Sequence, residues 1–162
     1  MNKNLSRSFM IFFLLVLFIA PATLHAQAKK SPATVAMEGV TVGMSQKEVL
    51  ALIKEPSEKE KSVIGEFWHY KLPVMSVMFS KNPVVVERLS TDNPLTKVTV
   101  DGKKIRVGNK YSEVVALIGQ HEGKFVVNKE LVEYIWFNES LRLLFKDGLL
   151  HKVSIVPEIV WE

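Results

Sequence analysis

The chain has 162 residues, no cysteine and a formal net charge of +4, room for one ordinary domain or two very small ones. Without cysteine it can form no disulfide and use no thiol nucleophile. Two of its 21 basic residues, Lys3 and Arg7, fall in the N-terminal leader; removing them leaves 19 against 17 acidic residues, about +2, so the basic balance gives no argument for nucleic acid.

Polar Asn2 with the cations Lys3 and Arg7 forms a positively charged start without an acid, Phe9 to Ala20 is an unbroken apolar run, and Pro21 breaks it. Ala26-Gln27-Ala28 and Leu24-His25-Ala26 both offer small residues at a signal-peptidase spacing. Residues 1–28 therefore read as a secretory signal peptide, cleaved after Ala26 or Ala28. The apolar run falls short of the ~20 residues that span a bilayer. With no cysteine after the cleavage site, the lipid anchor of a bacterial lipoprotein is excluded. The expected location is periplasmic or secreted, with no stable membrane anchor after cleavage.

Lys29 to Thr34 is a polar lead-in and Val35 to Val42 an irregular extended arm. Ser45-Gln46-Lys47-Glu48 fits a capping box and opens a helix, with Val49, Leu52 and Ile53 on one face and Pro56 as the stop. About ten residues long, this helix must dock its stripe to be stable. Glu55 to Ser62 reads as a loop. Strand signals follow at Ile64–Lys71, Val74–Ser80 and Val84–Leu89, the second alternating Met75, Val77 and Phe79 against Ser76, Met78 and Ser80. Lys81-Asn82-Pro83 is a turn, and Thr91 to Pro94 closes the first unit.

The order then recurs. Lys97–Val100 reads as a strand, Asp101-Gly102 as a hairpin turn, and Ile105–Val107 as an arm. A helix runs from about Lys110 to Ile118 and stops at Gly119. The loop from Gln120 to Gly123 precedes an extra short strand signal at Phe125–Val127. Strands are expected at Glu130–Phe137, Leu141–Lys146 and Leu149–Val156, with a turn at Asp147-Gly148 and a tail from Pro157 to Glu162 that contains Trp161.

The recurrence is close. Val42-Gly43 and the stretch to Ile53 return 65 positions later as Val107-Gly108 to Ile118, with Glu-Val and Ala-Leu-Ile in identical places. Glu66 to Tyr70 can be laid over Glu133 to Phe137, and Met75, Val77, Phe79 over Leu141, Leu143, Phe145. The expected fold class is α+β. Two tandem modules, 35–94 and 95–156, each pack a short helix on an antiparallel three- to four-stranded meander, and joining the two sheets edge to edge would hide two exposed edges.

An arm ending in Val-Gly, a helix carrying Glu-Val, a Pro or Gly stop and a β-meander resemble the BamE (SmpA/OmlA) proteins. The tandem form resembles the β-lactamase inhibitor protein fold. That resemblance implies a non-enzymatic extracytoplasmic module that works by protein contact, in envelope assembly or in inhibition. The chain departs from both families: BamE-type proteins are single-copy lipoproteins, and the secreted inhibitors carry disulfides.

No residue pattern demands chemistry. Glu48 and Glu113 could be paired carboxylates, but each sits in a first helical turn, where a carboxylate caps the helix. Gly43 and Gly108 could form an anion nest, or simply supply a turn with positive φ. His69, His121 and His151 show no metal-ligand spacing. Lys103-Lys104-Ile105-Arg106 reads as a charged edge. No Gly-x-Ser-x-Gly occurs and there is no cysteine nucleophile, which disfavours a hydrolase; the expectation is no enzyme and no cofactor, with an enzyme using His69 or His151 as the weakest alternative.

The aromatic strands are the candidate site. If Trp68, Tyr70, Ile135 and Phe137 face the helices, then Phe67, His69, Tyr134 and Trp136 line the open face, joined by Met78 and Leu144. Aromatic and Met residues on an open sheet face suit a protein interface. Module packing or the tail could instead cover this face, and a slip of one residue would swap the two faces. The expected partner is another envelope or secreted protein; the alternative is a small apolar or cell-wall-derived ligand held between the modules.

Overall fold

The computed structural model describes residues 33–158. The signal segment at 1–28 and Trp161 lie outside the described residues. The first element, β1 (Val35–Met37), is a short strand where an irregular arm was expected. The helix α1 (Gln46–Ile53) follows, as the capping box predicts. The Glu48 carboxylate accepts the Ser45 backbone N–H at 2.7 Å, and the Ser45 hydroxyl accepts the Glu48 N–H at 3.4 Å. The helix stops at Lys54, whose φ is 63°.

Then come β2 (Glu58–Lys61), β3 (Gly65–Lys71), β4 (Val74–Ser80) and β5 (Val86–Thr91). A hairpin, β6 (Val98–Val100) and β7 (Lys103–Ile105), turns through Asp101 and Gly102, both at positive φ. The second helix α2 (Tyr111–Ile118) leads into β8 (Gly123–Val126), β9 (Leu131–Trp136), β10 (Leu141–Lys146) and β11 (Leu149–Ile155).

The strands form one eight-stranded antiparallel sheet, ordered β2-β3-β4-β5-β11-β10-β9-β8, and a three-stranded sheet, β1-β6-β7. This corrects the expected α+β pair of modules. The described residues are mostly β. The helices among them have only eight residues each, and β1 pairs with β6 across the proposed module boundary. The two meanders are halves of a single sheet, joined where β5 pairs with β11. The core is likewise shared. Val49 of α1, Val114 of α2, Met37 and Ile105 of the small sheet, and Trp68, Phe79, Leu141 and Leu143 of the large sheet belong to one buried cluster. Each fully buried side chain of that kind stabilises by roughly 1.5–3 kcal/mol, which an eight-residue helix could not supply alone.

The stretch that recurs best attaches each helix to a central strand. Gly43, at φ 88°, donates its N–H to Val86 O at 2.8 Å, and Gly108, at φ 96°, donates to Leu150 O at 2.7 Å. Both glycines serve a tight turn that pins a helix start to β5 or β11. The segment expected as a loop before the third strand contains the edge strand β2. Its alternating Glu-Lys sequence hides the strand signal, because all four side chains are exposed.

Candidate functional site

One face of the large sheet carries the core. In β3, Trp68 and Tyr70 point there, opposite Val77 and Met75. The other face carries Phe67 and His69, opposite Met78 and Ser76. Phe67 and His69 stack nearly parallel, at 7°. Both are half-buried, whereas Met78 is only 5 % exposed and sits in register between Phe67 and Arg88.

The second half corrects the expected face. Tyr134 is opposite Leu143 and Trp136 opposite Leu141, so both lie on the core side. Trp136 is 1 % exposed, and its indole N–H donates to Gly119 O at 3.0 Å. Tyr134 packs against Tyr111 of α2, with ring centroids 4.6 Å apart, and against Phe145 at 5.5 Å. The residues of β9 and β10 on the open face include Glu133, Ile135, Arg142 and Leu144, with Ile135 itself buried. Ile135 was expected beneath the helix.

The cause is a slip of one residue. Trp68 faces Val77 and Tyr134 faces Leu143, so Trp68 corresponds to Tyr134, not to Ile135. Laying Glu66 over Glu133 moved every side chain of that strand to the wrong face. Of the six candidate residues, Phe67, His69, Met78 and Leu144 stay on the open face, while Tyr134 and Trp136 leave it.

The open face holds a depression of about 490 Å³ lined by Phe67, His69, Ser76, Arg88, Ser90, Glu133, Arg142, Lys152, Ser154 and Val156. It lies over the β5–β11 seam. Its floor is a cross-strand row: His69 faces Ser76, Ser76 faces Ser90, Ser90 faces Ser154, and Ser154 faces Arg142. Three short hydroxyl side chains in register leave space that the long side chains around them enclose. A second depression of about 310 Å³ shares His69, Ser76, Ser90 and Lys152 with the first and adds Asp92.

The rim is mostly cationic. Arg142 is held by Glu139 at 2.6 Å and lies 3.9 Å from Glu133. Its Nε–H is buried without an acceptor among the described residues. Arg88 and Lys152 have no carboxylate within ion-pair distance among the described residues. The sequence did carry a signal for this floor. Ser76, Ser90 and Ser154 each interrupt a strand of core-facing residues, which places them on the opposite face.

His69 Nδ1 lies 3.0 Å from Ser76 Oγ, and Nε2 lies 3.9 Å from Glu60. This is not a hydrolytic triad. The carboxylate contact is too long for a hydrogen bond, Glu60 is a solvent-facing residue of the edge strand, and Ser76 sits mid-strand with its backbone engaged in the ladder. His121 packs instead against Tyr111, whose hydroxyl lies 3.0 Å from its Nδ1. His151 is exposed on β11. Among the described residues no three His, Asp or Glu side chains converge to hold a metal ion.

The perturbed groups support structure. Hydrogen bonds from the Ser45 hydroxyl and backbone hold the Glu48 carboxyl below its usual range, and Asn109 and the Lys110 backbone do the same for Glu113. Burial, with help from Glu55, pushes the Tyr70 phenol up to about 12. None of these three groups lines the larger depression.

No family model matches the chain, and no curated protein matches it. Among solved structures it is similar to an extracellular protein containing an SCP domain from Bacillus anthracis, with a TM-score of 0.50 and 17% identity over 72% of this chain. The chain spans 44% of that protein's length. It is also similar to a DUF4309 family protein, YjgB, from Bacillus subtilis, with a TM-score of 0.41 and 12% identity over 69% of this chain and 77% of the other. Identities this low bear on fold alone, and neither neighbour is a BamE or β-lactamase inhibitor protein. Among the described residues no helix is long and apolar enough to cross a membrane.

Proposed function

We propose that this chain is an extracytoplasmic, non-enzymatic binding protein that grips a protein partner with the open face of its large sheet. The signal-like leader supports export, whether to the periplasm or outside the cell. The fold it shares with part of an extracellular protein points the same way. The observation that carries the reading is the make-up of the open face. A polar, serine-floored trough lies between apolar side chains, with Phe67 toward one edge, beside the buried Met78, and Leu144 and Phe125 toward the other; Phe125 is 55 % exposed. Protein interfaces combine apolar anchors with a polar surround in this way.

Affinity capture of the mature protein from an extracytoplasmic fraction tests it. A partner retained by the wild type should be lost when Phe67→Glu and Leu144→Glu are combined, with the melting curve preserved. Equal recovery by the double variant would sink the reading. The volume of the trough, about 490 Å³, also suits a small ligand held at the seam. A cell-wall-derived molecule carried through purification would favour that second reading.

A further inference from the structure

We infer that the trough over the β5–β11 seam binds an extended acidic segment, with carboxylates at residues i and i+4 taken by Arg88 and Lys152. The inference rests on the open face being the binding surface and names the chemistry of what it grips.

Ser90 and Ser154 face each other at the centre of the seam. Arg88 precedes Ser90 by two residues on β5, and Lys152 precedes Ser154 by two on β11. Both cations therefore share the serines' face. Because the strands are antiparallel, they lie at opposite ends of the serine pair, about 13 Å apart along the strand axis at ~3.3 Å per residue. That is the separation of residues i and i+4 in an extended peptide, and those two side chains lie on the same side of it. Residue i+2 would then rest over Ser90 and Ser154, whose hydroxyls can donate to it or accept from it.

The charge is complementary. Arg88, Arg142 and Lys152 line the larger depression against one carboxylate, Glu133, with Asp92 in the adjoining one. Glu133 is near Arg142 rather than the seam cations, and neither Arg88 nor Lys152 is paired to a carboxylate among the described residues. A guanidinium and an ammonium left exposed beside a hydroxyl floor match carboxylates better than they match apolar groups.

The probe is an acetylated and amidated pentapeptide with glutamates at its first and fifth positions and glycine and serine between, titrated into the mature protein by calorimetry or NMR at low salt. Binding on the order of millimolar is expected for two charged anchors on so short a ligand. Replacing both glutamates by glutamine, or moving the second from the fifth position to the second, should weaken binding roughly tenfold or more. Arg88→Gln and Lys152→Gln should each weaken it by a similar factor and reduce its salt dependence. Equal binding of the glutamine peptide, unchanged affinity in both variants, or no binding at all overturns the inference. So does an oligogalacturonate that binds tighter than the peptide, since the site would then be one for acidic sugars. The partner reading is separable. If Arg88→Gln and Lys152→Gln leave partner capture intact while Phe67→Glu with Leu144→Glu abolishes it, the open face stands and the acidic segment falls. If neither pair affects capture, the face itself is wrong.

Discussion

The two halves of the large sheet place side chains on matching positions yet finish them with different chemistry. Tyr70 and Trp136 both reach back to the carbonyl that ends a helix, Lys54 O at 3.4 Å and Gly119 O at 3.0 Å. On each edge a lysine covers the neighbouring core aromatic, Lys59 over Trp68 at 4.5 Å and Lys124 over Tyr134 at 5.7 Å. The first residue of each helix then differs. Gln46 donates to Glu66, which accepts from the Trp68 indole, whereas Tyr111 packs against Tyr134 and meets Phe145 edge to face. One half holds its helix with a polar relay and the other with aromatic packing. The shared positions are those that make the sheet and its core. The differing ones lie at the helix starts and on the open face, where chemistry is free to vary.

The largest test of this comparison is on the faces. Trp136→Ala should destabilise the protein by about 3–5 kcal/mol, as a core aromatic does, while Phe67→Ala on the open face should cost under about 1 kcal/mol. Urea unfolding of the two variants reads the difference, and similar losses would return Trp136 to the surface. Next comes Gly65, which starts β3 where the other half has Leu131. A Cβ there would stand 2.0 Å from Phe79 O. Gly65→Ala should therefore cost about 1–3 kcal/mol, and a neutral result would mean that the strand end can move aside.

The helix caps should differ more modestly. Ser45→Ala removes a side-chain acceptor and should cost ~1 kcal/mol. Lys110→Ala should be near neutral, because the Lys110 side chain makes no cap hydrogen bond and Glu113 caps α2 through the Lys110 backbone N–H at 3.0 Å. Equal losses in thermal melts would erase that contrast. The smallest effects are in pH. Glu48 and Glu113 have lowered folded pKa values, so their contribution is present above 4.5 and is lost as pH falls through the folded values. The Tyr70 phenol is raised, so its contribution is intact below pH 10 and disappears between pH 10 and about 12. Tyr70→Phe should flatten that alkaline arm, and an unchanged arm would assign it to another group.

The local structure was legible where local rules decide it. The capping box of Ser45 and Glu48, the Asp-Gly turns and the alternation of β4 all appear as read. What depends on pairing was not. The continuity of the sheet is set by β5 meeting β11, and no residue in either strand announces its partner. The open face failed at one step, because β9 carries Tyr134, Ile135 and Trp136 in succession. Three large apolar residues in a row give no alternation by which to choose the inward side. The serine floor was readable in each strand separately but became a site only when the register aligned Ser76, Ser90 and Ser154.

The seam also orders assembly in time. Only three residue pairs join β5 to β11, Val153 with Thr91, Ser154 with Ser90 and Ile155 with Leu89, and the partners lie more than sixty residues apart in sequence. As the chain emerges from its N-terminal end, β5 remains an open edge until the last strand is available. Pairing at such separation carries a loop-closure cost before any contact offsets it. Without β11, β5 would be an unpaired edge open to edge-to-edge association. The alternating charges of β2 protect one outer edge of the finished sheet, and pairing with β11 covers β5.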